Sequence, residues 1–543
     1  MYNGTSDAAG PSTATPRPAL RQIVHVEVRQ NARSTVRNRD MKYAVTQWIQ
    51  ASFASLECDA DIDPGLWARI PTLAGNIDAI RVTEGARDHE IVPISSCSLR
   101  VHVYQGAPID SVEELAAGDP DSEEGGDVMA ATVTELPSSG LEGVWESLIY
   151  ADDVKQRLLK YIHTTLTFSD ALVDGNIISC NRVVLLHGPP GTGKTTLCRA
   201  LAQKLAIRLM SRYSHGKLVE INSHSLFSKW FSESGKLVQR LFSMVTEMVE
   251  DSHGFVVILI DEVESLTAAR AASSSGTEPS DALRVVNAVL TQLDKLKTRR
   301  NVLVMTTSNI SESIDNAFID RADIKQYIGP PSEKAIYWIL RGCLEELMKR
   351  GLVQTTRLLD FQACQHQPNG QGLGPSIYYP SAASLSATED PLKSGSAAVA
   401  AAAANGGRDE SERSQIASMG LYQLAHDCVG ISGRALRRLP ILAHAHYLAG
   451  DEGEWEGGDF EDEDGEEQRG SAAPGGSAGA GAGGKRGVPV HLWIEAMRRA
   501  VVDSRLQLEG AERGSGSRLA SANGNSNIDG AGGIAAGAGP MAQ

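Results

Sequence analysis

The sequence predicts an α/β fold: a three-layer parallel-sheet domain with an α-helical lid, preceded by a small α/β domain. Three observations predict it. Residues 182–196, RVVLLHGPPGTGKTT, read as a strand, a glycine-rich turn and the start of a helix. Residues 255–262, FVVILIDE, form an apolar run ending in two carboxylates, as a central parallel strand buried on both faces requires. Beyond Pro330 the apolar residues recur at helical spacing, among them Ile336, Ile339, Leu340, Cys343, Leu344 and Leu347.

A chain of 543 residues has room for about three or four units, and 42% hydrophobic content supports large cores. The formal charge of −16 argues against a nucleic-acid coat, so no direct nucleic-acid partner is expected. Seven scattered cysteines, an odd number without a C-x-x-C pair, do not resemble a disulfide framework and point to a reducing compartment. No stretch approaches the roughly 18 apolar residues of a membrane span, and residues 1–20 lack the apolar centre of a secretory signal. The expectation is a soluble protein of nucleus or cytoplasm with no membrane partner.

Residues 1–20, rich in Ser, Thr, Pro and Ala, are expected to be disordered. An N-terminal domain is expected over 21–115. Val24, Val26 and Val28 alternate with polar residues as in a half-buried strand, and Met41, Val45, Trp48, Ile49 and Phe53 share one face of a helix. Residues 99–104 alternate again. Residues 116–140, centred on GDPDSEEGGD, read as a linker.

The large nucleotide domain is expected over 141–330. Gly188, Gly193, Lys194 and Thr195 meet the pattern G-x-x-x-x-G-K-[ST], and Pro189, Pro190, Gly191, Thr192 and Thr196 complete the loop. Gly191 and Gly193 allow positive φ, so successive N–H groups can face phosphate oxygens at the positive end of a helix. Lys194 would reach the β- and γ-phosphates and Thr195 would ligate Mg²⁺, making ATP and Mg²⁺ the expected cofactors. Asp261 would orient the metal and Glu262 would polarise the attacking water. The bland alternative is that both acids merely end a strand.

Two adjacent aromatics, Trp230 and Phe231, follow Lys229 in a hydrophilic stretch. They either cap a core or stand exposed in a loop; adjacent side chains point apart, which favours exposure of at least one ring. Residues 302–309 read as a further buried strand, with Asn309 where a γ-phosphate or water sensor would sit. Arg321 precedes a last short strand.

A lid is expected over 331–510, interrupted by disordered insertions at about 364–414 and 450–486. Ser432 can cap a helix that carries Arg434 in its first turn. Residues 488–508 supply a last amphipathic helix, and 511–543 are expected to be a disordered tail. His444 and His446 have no partner cluster, which favours packing or surface roles over metal.

These motifs, in this order, resemble those of an AAA+ ATPase. More closely, the chain is similar to the pachytene checkpoint protein 2 family, also called thyroid receptor-interacting protein 13. The resemblance is carried by HVEV at residue 25, NRVVLLHGPPGTGKT at 181, EINSHSLFSKWFSESGKLV at 220, LIDEVESLTAAR at 259 and GTEPSDALRVVNAVLTQLD at 276. TTSNI at 306, DRADIKQYIGPPS at 320 and GISGRALRRLPILAHA at 430 extend it. It implies an ATP-driven homo-hexamer that unfolds or converts HORMA-domain proteins of the meiotic chromosome axis and spindle checkpoint, in nucleus and cytoplasm. The N-terminal domain would receive substrate and a HORMA adaptor.

The resemblance also implies that Trp230 is the pore-loop aromatic with Lys229 and Phe231 beside it, Asn309 sensor 1, Arg321 the arginine finger acting in trans, and Arg434 sensor 2. Two rival readings stand beside it. A DNA-acting AAA+ enzyme of clamp-loader or helicase type would want basic stripes or a base-stacking platform, and this acidic chain shows neither clearly. A nucleotide-switched scaffold would not need both Asp261 and Glu262.

Overall fold

The computed structural model describes residues 22–83, 91–109, 111–116, 129–150, 153–174, 177–223, 234–265, 281–309, 316–365, 410–448 and 488–523. The chain divides into two units, Met1–Leu148 with Asp152–Gly329, and Ile149–Ala151 with Pro330–Gln543.

The first unit opens with β1 (Gln22–Gln30), α1 (Asn38–Ser52), β2 (Ser55–Glu57), β3 (Ala60–Asp61), α2 (Pro64–Trp67), α3 (Pro71–Ala74), β4 (Ile77–Thr83), β5 (Ile91–Pro93) and β6 (Cys97–Tyr104). Strand β1 lies inside a four-stranded sheet of order β3-β4-β1-β6, antiparallel to β4 and parallel to β6. The alternation has its expected effect on one face. Val24, Val26 and Val28 are fully buried in one cluster with Met41, Val45 and Ile49 of α1. The other face is only partly solvated, however: Ile23 is 44% exposed, but Glu27 only 6%.

The same unit continues with β7 (Val112–Ala116), β8 (Met129–Leu136), α4 (Val144–Ser147), α5 (Val154–Asp170), β9 (Val183–His187), α6 (Lys194–Leu209), β10 (His215–Asn222), α7 (Ser234–Glu250), β11 (Gly254–Asp261), α8 (Asp281–Leu296), β12 (Val302–Ser308), α9 (Asn316–Arg321) and β13 (Ile324–Tyr327). Seven strands form one sheet in the order β13-β9-β12-β11-β10-β8-β7. The run from β13 to β10 is parallel, and β8 and β7 extend it antiparallel. Every residue of β12 is buried, and all of β11 except Asp261. Helices α7 and α8 pack Val238, Phe242, Val245, Val286 and Leu293 into the core on this sheet.

The linker expected over 116–140 is corrected in part. Residues 129–136 are β8, paired with β10 from Ala131 opposite Ile221 to Leu136 opposite Gly216. Ala131 and Val133 are turned into the core while the adjacent threonines face out, so this acidic-flanked stretch is an ordinary amphipathic strand. The GDPDSEEGGD segment itself lies outside the described residues.

The second unit is helical: α10 (Glu333–Lys349), α11 (Phe361–Gln365), α12 (Glu410–Asp427), α13 (Gly433–Ala443) and α14 (Val490–Asn523). Its core gathers Ile336, Leu340, Leu344, Leu421, Leu424, Leu436, Trp493 and Met497. Ser332 and Ser432 cap α10 and α13, each accepting the N–H three residues on at 3.3 Å.

Two boundaries differ from expectation. Helix α12 starts at Glu410, with Ser414 buried and bonded to the Arg357 carbonyl, and Cys364 is buried in α11; both belong to the core, not to an insertion over 364–414. Helix α14 runs to Asn523, past the expected tail boundary at 511, because extending a packed helix costs far less than nucleating one. The expected disordered stretches 1–20, 366–409, 450–486 and 524–543 lie outside the described residues. All seven cysteines carry free thiols, and among the described residues no helix is long and apolar enough to cross a membrane.

Candidate functional site

Strand β9 ends at His187, and the chain turns through Gly188, Pro189, Pro190, Gly191, Thr192 and Gly193 into α6. Glycine is required twice. Gly188 has φ +145°, and a Cβ there would stand 2.2 Å from the Ile328 carbonyl oxygen, so the turn passes against backbone with no room for a side chain. Gly193, at φ +90°, is the N-cap of α6 and leaves the first-turn N–H groups directed out of the helix end.

Lys194 is 5% exposed and donates to the carbonyl oxygens of Gly188 at 2.9 Å and Pro189 at 2.8 Å. Thr192 donates to the same Pro189 carbonyl at 3.0 Å. The loop is thereby folded around its own ammonium. Thr196 is exposed beside it.

Strands β9, β12 and β11 are neighbours, so their carboxyl ends lie side by side, where doubly wound sheets take their ligands. Thr195 Oγ1 donates to Asp261 Oδ1 at 2.9 Å. A hydroxyl has one proton, so this bond leaves the Thr195 lone pairs to a cation. A threonine hydroxyl beside a carboxylate is a hard oxygen donor set, which suits Mg²⁺ shared with phosphate.

Glu262 follows at φ +57°, a left-handed conformation that a residue with a Cβ seldom takes. Its N–H donates to Thr307 Oγ1 at 3.2 Å. Asn309 Nδ2 donates to Glu262 Oε1 at 3.4 Å, and the Asn309 N–H donates to Glu264 Oε1 at 3.0 Å. Thus Lys194, Thr195, Asp261, Glu262 and Asn309 are brought together. Such a set can hold a nucleoside triphosphate by backbone N–H groups and Lys194, hold Mg²⁺ by Thr195 and Asp261, and present Glu262 to water.

Arg321, in the same unit, is engaged with a different element. It ends α9 in a two-pronged pair with Asp294 of α8, Nε to Oδ1 at 3.1 Å and Nη2 to Oδ2 at 2.8 Å. Arg434 is exposed in the first turn of α13 in the second unit. Lys229, Trp230 and Phe231 lie outside the described residues.

Sequence reasoning missed what the far end of α6 does. Gln203 exchanges two hydrogen bonds with the Ser138 backbone, at 2.8 and 2.9 Å. Lys204 reaches Glu27 of β1 at 2.8 Å and Glu146 of α4 at 3.5 Å, and Arg208 approaches Glu27 at 3.9 Å. Burial would raise the Glu146 carboxyl, but Lys204 and Arg81 together hold it below the ordinary range. Beside them His25 and His102 stack with Nδ1 to Nε2 at 2.9 Å. Burial first, and the Arg208 charge second, press them down to about 2 and about 3, so the pair is neutral. The signal was Lys204 itself, a charge in the middle of the apolar run Leu201, Ala202 and Leu205.

Residues 184–330 match the model of the ATPase family associated with various cellular activities (AAA). Residues 19–107 match the TRIP13 N-terminal domain, and residues 332–456 the TRIP13-like AAA+ ATPase lid C-terminal domain. The pachytene checkpoint protein 2 homolog of Sus scrofa is 45% identical over 444 residues, spanning 80% of this chain and 90% of that one. The homolog of Homo sapiens is 44% identical over 440 residues, spanning 80% and 90%. The solved structure of C. elegans PCH-2 is similar with a TM-score of 0.58 at 28% identity, covering 90% of this chain and all of the other. With the phosphate loop, both strand-end acids and Asn309 set around one point, and with relatives 44 and 45% identical over most of both chains, the chain belongs to the pachytene checkpoint protein 2 family of AAA ATPases.

Proposed function

We propose that this ATPase works as a homo-hexameric ring that spends each ATP on pulling a segment of a HORMA-domain protein through its centre past Trp230 and Phe231. Mg²⁺ bound with ATP would be held by Thr195 and Asp261, and it supplies charge neutralisation for the transferred phosphoryl group. Glu262 orients water, Asn309 aligns Glu262, and Arg321 of one subunit serves the site of the next. Arg434 senses nucleotide from the lid. The N-terminal domain receives the client with its adaptor, in the nucleus on chromosomes and in the cytoplasm.

One observation carries the reading: the family-specific N-terminal domain is fastened by Glu27 to the same helix that begins with Lys194 and Thr195. A domain that binds clients is thereby joined to the helix that binds phosphate.

The test is hydrolysis by the purified chain with and without a purified HORMA protein, together with conversion of that protein from its closed to its open form. Stimulated hydrolysis with conversion, both lost in Trp230→Ala while nucleotide binding persists, is the expected result. Conversion undiminished in Trp230→Ala would overturn the threading step; no stimulation by any HORMA protein would overturn the client class.

A further inference from the structure

Strand β12 is buried at every position, yet its last residues are Thr306, Thr307 and Ser308. Buried hydroxyls need partners, and that of Thr307, 2% exposed, has two. It donates to Asp261 Oδ1 and accepts the Glu262 N–H at 3.2 Å. Both directions are forced, because a carboxylate can only accept and a backbone N–H can only donate. The Thr307 carbonyl accepts the Val263 N–H at 3.0 Å, so β12 grips three consecutive residues at the end of β11.

The grip falls where the backbone most needs it. Glu262 sits at φ +57°, which a side-chain-bearing residue keeps only if its surroundings enforce it. Asn309 touches the Glu262 side chain, whereas Thr307 holds its peptide N–H and, through the same oxygen, the neighbouring carboxylate. Asp261 Oδ1 thus receives two hydroxyl protons, from Thr195 and from Thr307.

We propose that Thr307 is a positioning residue for ATP hydrolysis: one hydroxyl sets the rotamer of the metal-side Asp261 and the left-handed backbone of the water-side Glu262, locking the two acids to each other. The inference rests on the roles given to Asp261 and Glu262.

Thr307→Val keeps the shape and removes both bonds. Nucleotide affinity in EDTA, read with a fluorescent ATP analogue, should match the parent, while the affinity gained on adding Mg²⁺ should fall by about 10- to 100-fold, the usual scale for an outer-sphere partner of a metal ligand. Turnover should fall through kcat rather than KM, with only a small drop in thermal midpoint from the unpartnered Glu262 N–H. Thr307→Ser, which restores the hydroxyl, should recover most of both losses.

Three results would overturn the proposal: full Mg²⁺ linkage in Thr307→Val, an equal loss of affinity in EDTA, or a Thr307→Ser chain as impaired as Thr307→Val. Glu262→Gln serves as the control for the underlying roles. Parental turnover in Glu262→Gln would remove the water-side role of Glu262, and the Mg²⁺ linkage in Thr307→Val would still report separately on Asp261.

Discussion

Lys204 on α6 places its ammonium 2.8 Å from Glu27 Oε2 on β1, with the two side chains only 2% and 7% exposed. They are 177 residues apart in the chain. Two charges taken out of water stabilise the fold only as a pair, and removing one leaves the other stranded.

Lys204→Met should therefore lower unfolding free energy by about 3 to 5 kcal/mol, the range for breaking a buried pair from one side. The double variant Lys204→Met with Glu27→Leu should be less damaged than the sum of the singles, since neither member of the pair is then left buried opposite an apolar side chain. Denaturant unfolding of all four chains checks this. Strictly additive losses would mean that the two residues do not act on each other.

The same junction should weaken in mild acid. His25 and His102 are held at about 2 and about 3, below the ordinary 6.5, so the unfolded chain takes up protons first as pH falls. Their contribution is complete above about pH 6.5 and is lost as pH falls toward about 3, at up to about 1.4 kcal/mol per histidine per pH unit. Arg208, Arg100, Lys204 and Lys42 face the pair with positive charge, while Glu27 draws on Arg208 and Lys204, so protonation adds to a basic cluster. Thermal midpoints at pH 7.5 and 5.5 should differ more in the parent than in His25→Gln/His102→Gln. Equal differences would refute it.

Lys194→Ala should abolish tight ATP binding, because the ammonium enclosed by the Gly188 and Pro189 carbonyls is the charge that a phosphate would meet. Equilibrium binding of a fluorescent nucleotide decides the matter; near-parental affinity would remove the phosphate-loop role from this residue.

Glu262→Gln should bind ATP normally and turn it over about two to four orders of magnitude more slowly, the scale of losing a catalytic base. Phosphate release under saturating ATP measures it. A parental rate would make Glu262 a strand-end acid and nothing more.

Arg321 stands at a fork, since within its own chain it pairs with Asp294. If it serves a neighbouring site, Arg321→Ala should cost about a thousandfold in turnover, and mixing it with Glu262→Gln chains should restore activity to some sites. If it only fastens α9 to α8, Asp294→Ala should cost as much, and mixing should restore nothing.

The parallel sheet and phosphate loop were legible because their signals are local. Val183 to Leu186, Phe255 to Ile260 and Val302 to Met305 announce strands buried on both faces, and the glycines at 188 and 193 announce the turn. Strand β8 was hidden because its place between β7 and β10 depends on β10, which comes some 80 residues later, and nothing in its own sequence names that partner. Glu27 was read as a solvated residue on an alternating strand because burial of a charge is decided by its counter-charge, here Lys204. Thr307 was legible only as part of a polar strand end; which acid it would hold depends on the register of β12 against β11.

Helix α6 also determines where the chain can be cut. The N-terminal family match stops at residue 107, just short of β7, so a fragment begun there would keep every strand of the ATPase sheet. It would also strip Glu27 from Lys204 and Arg208, and the neutral imidazoles from beside them. The excised ATPase would keep Glu146 but lose Glu27 against the basic end of the helix whose other end is the phosphate loop. A loss of nucleotide affinity in that fragment would then measure disturbance of α6 rather than any binding role of the lost domain.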